Sequence, residues 1–390
     1  MQKKYPFIIK ATYFMLFLIL FVFIVVIAKS FLVPVVFAAL IGSLLYPVCH
    51  MLCKLGLPRG ISIFVTIILM MVFFAGISTF FVGEISTLMA DFPALKAKAI
   101  HNVNEISVFI QENFGVETAS QKNWLKEQVD NLFSSGNEVM NGLLNATAGT
   151  VFKILIMPVF VFYMLFYRER FHFFIMRIVP QGDKERANKI IDEISFVSQR
   201  YLGGAFIVVL ILSVLNSVGL YIVGVKYAIL FGVIAALFNF IPYFGTWIGA
   251  AFPFTFALLT GDSFDLALGV LILFAIIQFT ENNILTPNIT GGYVRLNPFI
   301  TILALLAGGL VWGVAGMLLV IPFIASLKIV FENFDSTKAL AFLLGRPESD
   351  AYMRRVTKIK SIIRGKKDAY MRRVTKIKSI IRGKKMEKDE

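Results

Sequence analysis

Residues 61–82 read ISIFVTIILMMVFFAGISTFFV, an apolar stretch without a single charge. A helix of that length reaches across the hydrocarbon core of a bilayer, which is about 30 Å thick and takes about 20 apolar residues. Seven further runs, uncharged or with a single charge, lie at 11–28, 31–51, 151–167, 203–224, 227–258, 264–280 and 297–330. The rest of the composition agrees. The 390-residue chain is 58% hydrophobic and 16% charged, with a mean hydropathy of +0.79. A soluble domain carries about 25% charge and about 45–50% apolar residues. Forty phenylalanines against 24 acidic residues leave too little polar surface to cover a water-soluble fold. The chain therefore reads as an all-α polytopic membrane protein with about eight transmembrane helices. Disordered, collagen-like and disulfide-stapled secreted classes are excluded on the same numbers.

Charge organises what surrounds these runs. The net charge of +14 is concentrated in residues 350–390, which hold 15 Lys/Arg and 5 Asp/Glu, so nucleic acid is not the partner it indicates. The first run follows Lys3, Lys4 and Lys10 as a signal peptide would. No A-x-A pattern follows it, so it reads as a retained helix. Lys54 and Arg59 follow the second run, and a basic loop at 168–202 follows the fourth. The positive-inside rule places both loops and both termini in the cytoplasm, as expected in a bacterial inner membrane. Three transmembrane helices then lie in 1–83 and five in 151–335, with an extracytoplasmic segment at 84–150 and a basic cytoplasmic tail at 336–390.

The segment 84–150 has 4 Lys and 8 Asp/Glu. Ile106, Phe109, Ile110 and Phe114 recur at helical spacing, as do Leu125, Val129, Leu132 and Phe133. They predict an outer pair of amphipathic helices, with breaks at Asn113–Gly115 and Gly136. In loop 168–202, Ile190, Ile191, Ile194 and Val197 suit a helix lying at the interface. The tail repeats DAYMRRVTKIKSIIRGKK without change at 350–367 and 368–385. Such a basic amphipathic helix is expected to lie on anionic lipid headgroups. Cys49 and Cys53 flank His50, but as small fillers at a helix end rather than a metal site. No cofactor is expected.

Polar groups at bilayer depth each need a reason, since a charge there costs about 2.5–3.5 kcal/mol on insertion scales. The densest cluster closes the seventh run: Gln278, Thr280, Glu281, Asn282, Asn283, Thr286, Pro287, Asn288 and Thr290, then Gly291–Gly292. Pro287 lacks an N–H and disfavours helix at Thr286, so 281–296 is expected to be unwound or re-entrant. A second break interrupts the sixth run at Asn239-Phe-Ile-Pro242-Tyr-Phe-Gly245, with Gly249 and Pro253 beyond. Broken helices at midplane are where transporters bind ions and small polar solutes. Glu281, Asn282, Asn283, Pro287, Asn288, Asn239, Pro242, Gly245 and Gly249 are therefore the candidate substrate or ion path, with Arg295 as a possible charge partner of Glu281. Gly309, Gly313 and Gly316 offer a small-residue face for helix packing. Asn216 is expected to hydrogen-bond a neighbouring helix, Lys226 to snorkel, and Asp262 to be hydrated. No G-x-x-x-x-G-K-[ST], G-x-S-x-G or H-E-x-x-H is present. No enzyme chemistry is indicated.

Three stretches resemble the autoinducer-2 exporter family of bacterial membrane proteins. They are Phe238–Gly245, the segment from Glu281-Asn-Asn-Ile-Leu-Thr-Pro287 through Leu296-Asn-Pro298 to Gly308–Gly316 and Ile321-Pro322, and Tyr201-Leu-Gly-Gly204. The resemblance covers residues 5–335. Thr246 departs from it where a second proline is usual, and Ala205 where a glutamine often stands. It implies export of a small hydrophilic solute such as a quorum-sensing signal, and assembly as a homo-oligomer. Some members are described as sodium or lithium/proton antiporters, so a monovalent cation is the alternative substrate. Protonation of Glu281 would couple transport to the proton gradient. A channel-like pore and a non-transporting scaffold are the rival readings.

Overall fold

The computed structural model describes residues 7–114, 119–145, 148–242, 244–289 and 296–346. Arg295, Gly291–Gly292, Thr290 and the repeated tail lie outside them, as do the side chains of Ile106, Phe109, Ile110 and Phe114. Within the described residues the fold is helical, apart from one bridge between Leu296 and Gly345. The elements are α1 (Phe7–Ile27), α2 (Lys29–Lys54), α3 (Arg59–Phe114), α4 (Ala119–Asn145), α5 (Ala148–Phe166), α6 (Arg168–Ile178), α7 (Lys184–Val223), α8 (Ala228–Phe238), α9 (Gly245–Thr260), α10 (Phe264–Thr280), α11 (Thr286–Ile289), α12 (Pro298–Trp312), α13 (Val314–Glu332) and α14 (Lys338–Leu344). Five helical stretches are long and apolar enough to cross a membrane, at Lys29–Lys54, Arg59–Glu105, Gln181–Val223, Phe264–Ile289 and Val314–Glu332. This is a polytopic membrane architecture.

Helix α3 has 56 residues, about 84 Å at the rise of an α-helix. Its apolar first half exceeds a bilayer core, and its second half projects beyond it as an arm. Helix α4 folds back along that arm. Ala99, Val103 and Val129 are buried between the two, Phe92 meets Phe133, and Lys96 pairs with Asp130 at 2.8 Å. Leu132, expected in this seam, is instead exposed. Gly136 is no break either: it lies within α4, where an added Cβ would fall 3.3 Å from the Phe92 ring. At the opposite end of the bundle the two basic loops meet. Arg59 pairs with Glu169 at 2.7 Å and donates to the Leu165 carbonyl.

The segment expected to form a separate interfacial helix at 190–197 is part of α7. That helix runs unbroken for 40 residues from Lys184 into the apolar run. Ile190 is buried, and nothing in 184–202 breaks the backbone ladder.

Two apolar runs turn back on themselves. The run 227–258 is the hairpin α8–α9, and both of its feet rest on the arm. Lys226 pairs with Asp91 at 2.6 Å and the Tyr227 hydroxyl donates to the same carboxylate. At the other foot Lys98 pairs with Asp262 at 2.6 Å, and Asn102 donates to the carbonyls of Leu259 and Gly261. Lys226, expected to snorkel, and Asp262, expected to be hydrated, are the two anchors. The run 297–330 is the hairpin α12–α13, reversed at Gly313, whose φ of 63° a side chain would resist. Its first foot is tied to the end of α14 by Asn297 N–H donating to the Leu344 carbonyl at 2.9 Å. Its tip is tied to α1 by the Trp312 indole donating to Val25 O. Small residues bring these helices together, since close packing must replace the hydrophobic drive that lipid removes. Ala228, Ala235, Ala257 and Ala267 are buried in the core of α7–α10 beside Leu220, Val225, Phe231, Val270 and Phe274, and Gly308 backs onto Gly316 across α12–α13.

The Asp91 anchor has a predictable pH response. Hydrogen bonds from Lys226 first, then Tyr227, hold its carboxyl below the ordinary value of 3.8. A depressed acid contributes stability above its unfolded pKa and loses it as pH falls through the folded one. The protection factor at the 224–228 foot, the intrinsic exchange rate divided by the observed rate at each pH, is expected to stay constant from neutral pH to about 5 and fall only below the ordinary carboxylate range. In Asp91→Asn it should be low throughout; equal protection in the variant at neutral pH would show that the anchor does not hold the foot.

Candidate functional site

The hairpin tip is built by Pro242. With no N–H there and helical geometry disfavoured at Ile241, α8 ends in a tightened turn. The amides of Asn239, Phe240 and Ile241 bond to the carbonyls of Ala236, Leu237 and Phe238, and Gly245 N–H returns to Ile241 O. Gly245 and Gly249 then face α8. A Cβ on Gly249 would lie 2.8 Å from both Cα and O of Ala235, and one on Gly245 would overlap the Phe238 carbonyl. The backbones are in contact, and Asn239 is left at the end of α8 with its side chain free to reach sideways.

It reaches Glu281. Asn239 Nδ2 donates to Glu281 Oε1 at 2.7 Å, and Thr246 Oγ1 donates to Asn239 Oδ1 at 3.1 Å. The carboxylate can only accept, so it turns the amide Nδ2 toward itself, and the Thr246 hydroxyl satisfies the Oδ1 end. Glu281 is only 7% exposed and has no ion-pair partner among the described residues. Gln278 lies one turn earlier on α10 and lines the same cavity as Glu281. Asn216 of α7, 3% exposed, donates to Gly232 O at 3.3 Å, as its mid-span position suggested. Its carbonyl oxygen Oδ1 and that of Gln278, Oε1, are buried without a partner. Asn216, Asn239, Thr246, Gln278 and Glu281 surround a cavity of about 10 Å³, room for one water-sized occupant. Asn239, Thr246, Gln278 and Glu281 also line a second cavity, of about 1150 Å³.

The segment 281–289 is not unwound as expected. It stays helical through a π-turn at Glu281–Leu285 that leads into α11. The wider turn absorbs the donor that Pro287 lacks, and such turns are frequent at functional sites.

Of the predicted path residues, Asn239 and Glu281 meet directly, and Pro242, Asn282 and Asn283 line the large cavity. Gly245 and Gly249 lie at the α8–α9 contact, while Pro287 and Asn288 are exposed on the helix beyond. Gly309 abuts the Met317 side chain, Gly316 meets Gly308, and Gly313 is the turn. Reading the sequence left Gln278, Thr246 and Asn216 out of the path. The available signal was polarity inside an apolar run, but only the fold shows that these side chains converge. Tyr201 and Ala205, from the third family-like stretch, line the large cavity too.

The family model described as "AI-2E family transporter" matches residues 14–336. The chain belongs to the AI-2E transporter family. Among relatives in this family, YrrI of Bacillus subtilis strain 168 is 28% identical over 319 residues, covering 78% of this chain and 87% of its own. YhhT of Escherichia coli K12 is 25% identical over 327 residues, covering 83% and 90%. Both are described only as candidate transport proteins. Membrane transport, rather than catalysis, is the activity that membership assigns.

Thr246 carries a local prediction. Thr246→Val removes the donor that satisfies Asn239 Oδ1, and exchange by the reconstituted protein should fall about fivefold, the equivalent of about 1 kcal/mol for one hydrogen bond. Thr246→Ser should restore it. Unchanged rates in the valine variant would show that the amide needs no such partner.

Proposed function

We propose that the chain is a secondary transporter that exports a small solute across the bacterial inner membrane, with proton exchange at Glu281. The observation that carries this reading is the buried carboxylate held across the tip of the α8–α9 hairpin by Asn239. A carboxylate at bilayer depth with no cation beside it among the described residues is costly, so its charge state responds to whatever else enters the site. A quorum-sensing signal such as autoinducer-2 is the first solute to test. In this reading the arm faces the outside, and the basic loops and both termini face the cytoplasm. The α8–α9 hairpin enters from the outer side. Homo-oligomeric assembly and contact of the 350–385 repeat with anionic headgroups belong to the same reading.

The test is a proteoliposome with an imposed proton gradient read by a pH-sensitive dye. Autoinducer-2 is added first, then sodium, lithium and potassium in turn. Saturable dissipation by autoinducer-2 supports proton-linked export. A response to an alkali cation alone moves the assignment to a cation/proton antiporter. Unsaturable flux without a gradient indicates a channel-like pore, and no flux of any probe leaves a scaffold held by the arm.

A further inference from the structure

The large cavity is unlike a site for a solute that is hydrophilic on all sides. Its volume, about 1150 Å³, is that of a pocket for a drug-sized molecule. Most of its wall comes from side chains such as Val208, Phe240, Trp247, Phe254, Leu271 and Phe274. A sugar-like solute would shed its hydration against these groups and regain hydrogen bonds only where it met the polar minority of the lining. Polar groups gather at one end, around Glu281.

That end has a sign. Two of its donors are already engaged: Asn239 Nδ2 on Glu281 and Thr246 Oγ1 on Asn239. Gln278 Oε1 is buried and without a partner. No Lys, Arg or His is among the described residues lining the cavity. An acidic group and an unsatisfied carbonyl face a largely aromatic and aliphatic chamber. A protonated amine, which only donates, complements that end, and an apolar or aromatic body complements the wall.

We propose that this cavity binds an amphipathic organic cation, its ammonium head at Glu281 and Gln278 and its body along α7, α9 and α10. The proposal rests on the reading of the cavity as the transport path and names the class of solute it carries.

The probe is a dansyl-tagged hexylamine, compared with its N-acetyl form, which has the same body and no charge. Binding to the purified full-length chain in detergent is read by fluorescence anisotropy. The amine should bind saturably and about thirtyfold tighter than the acetylated form, as expected when a buried charge keeps its partner. Glu281→Gln should erase that difference. Ala251→Phe, which fills the apolar wall and leaves the carboxylate in place, should weaken both forms. Equal binding of the two forms to the unaltered protein overturns the proposal, whether or not the glutamine variant folds. Proton exchange for autoinducer-2 or an alkali cation without amine binding also overturns it, and leaves the transport reading standing. Charge-selective amine binding with no proton exchange for any solute, the amine included, upholds the site and removes the transport reading.

Discussion

Glu281→Gln is expected to abolish proton-linked exchange by the reconstituted chain while leaving it folded. Glutamine keeps the length of the side chain and an oxygen for Asn239 Nδ2, which now lies 2.7 Å from Oε1. Its neutral amide cannot release or take up a proton, so the coupled component has no carrier. The dye signal should drop by about a hundredfold or more, the scale on which removal of a proton-transferring group is usually felt. Thermal unfolding should move by no more than about 1 kcal/mol, since a single buried hydrogen bond is exchanged for another. Glu281→Asp, shorter by one methylene, should retain part of the signal. Full coupling in the glutamine variant would remove Glu281 from the proton path and reduce it to a hydrogen-bonding partner of the hairpin tip.

The largest structural effect is expected at Gly249. A leucine there must displace the α8 backbone, because even a Cβ would lie 2.8 Å from Cα and O of Ala235. Backbone cannot swing aside as a flexible side chain can, so the cost should exceed the usual range for overpacking and reach about 3 kcal/mol or more. Separation of α8 from α9 would also withdraw Asn239 from Glu281, so stability and exchange should be lost together. Gly83→Leu is the control, a helical position of α3 where an added Cβ meets nothing within 4 Å. The measurement is thermal unfolding of the detergent-purified chain. A Gly249→Leu protein that melts with the control would mean that the α8–α9 contact can open without penalty.

Glu281 and Asn239 were legible as polar groups in apolar runs, and Pro242 marked the place where the chain bends. Their partners were less so. Thr246 looked like a departure from a family pattern, whereas its hydroxyl satisfies Asn239 Oδ1. Lys226 looked like a snorkelling span-end residue and Asp262 like a hydrated loop residue, whereas they anchor the two feet of one hairpin to the same arm. Leu132 matched the helical spacing of Val129 and Phe133, but the seam between α3 and α4 is narrower than that stripe. Spacing gives a face and not the width of its contact.

The sequence by itself determined that this chain is helical, spans a membrane several times and carries a long helical arm. Those properties follow from hydrocarbon thickness and the cost of unsatisfied backbone groups, which can be read in any window of about 20 residues. Tertiary structure alone decided that 227–258 and 297–330 turn back, and that Asn239 faces a carboxylate 42 positions away. A proline interrupts a helix whether it kinks or reverses. The choice depends on whether distant backbones can approach, and that belongs to the packed pair of helices.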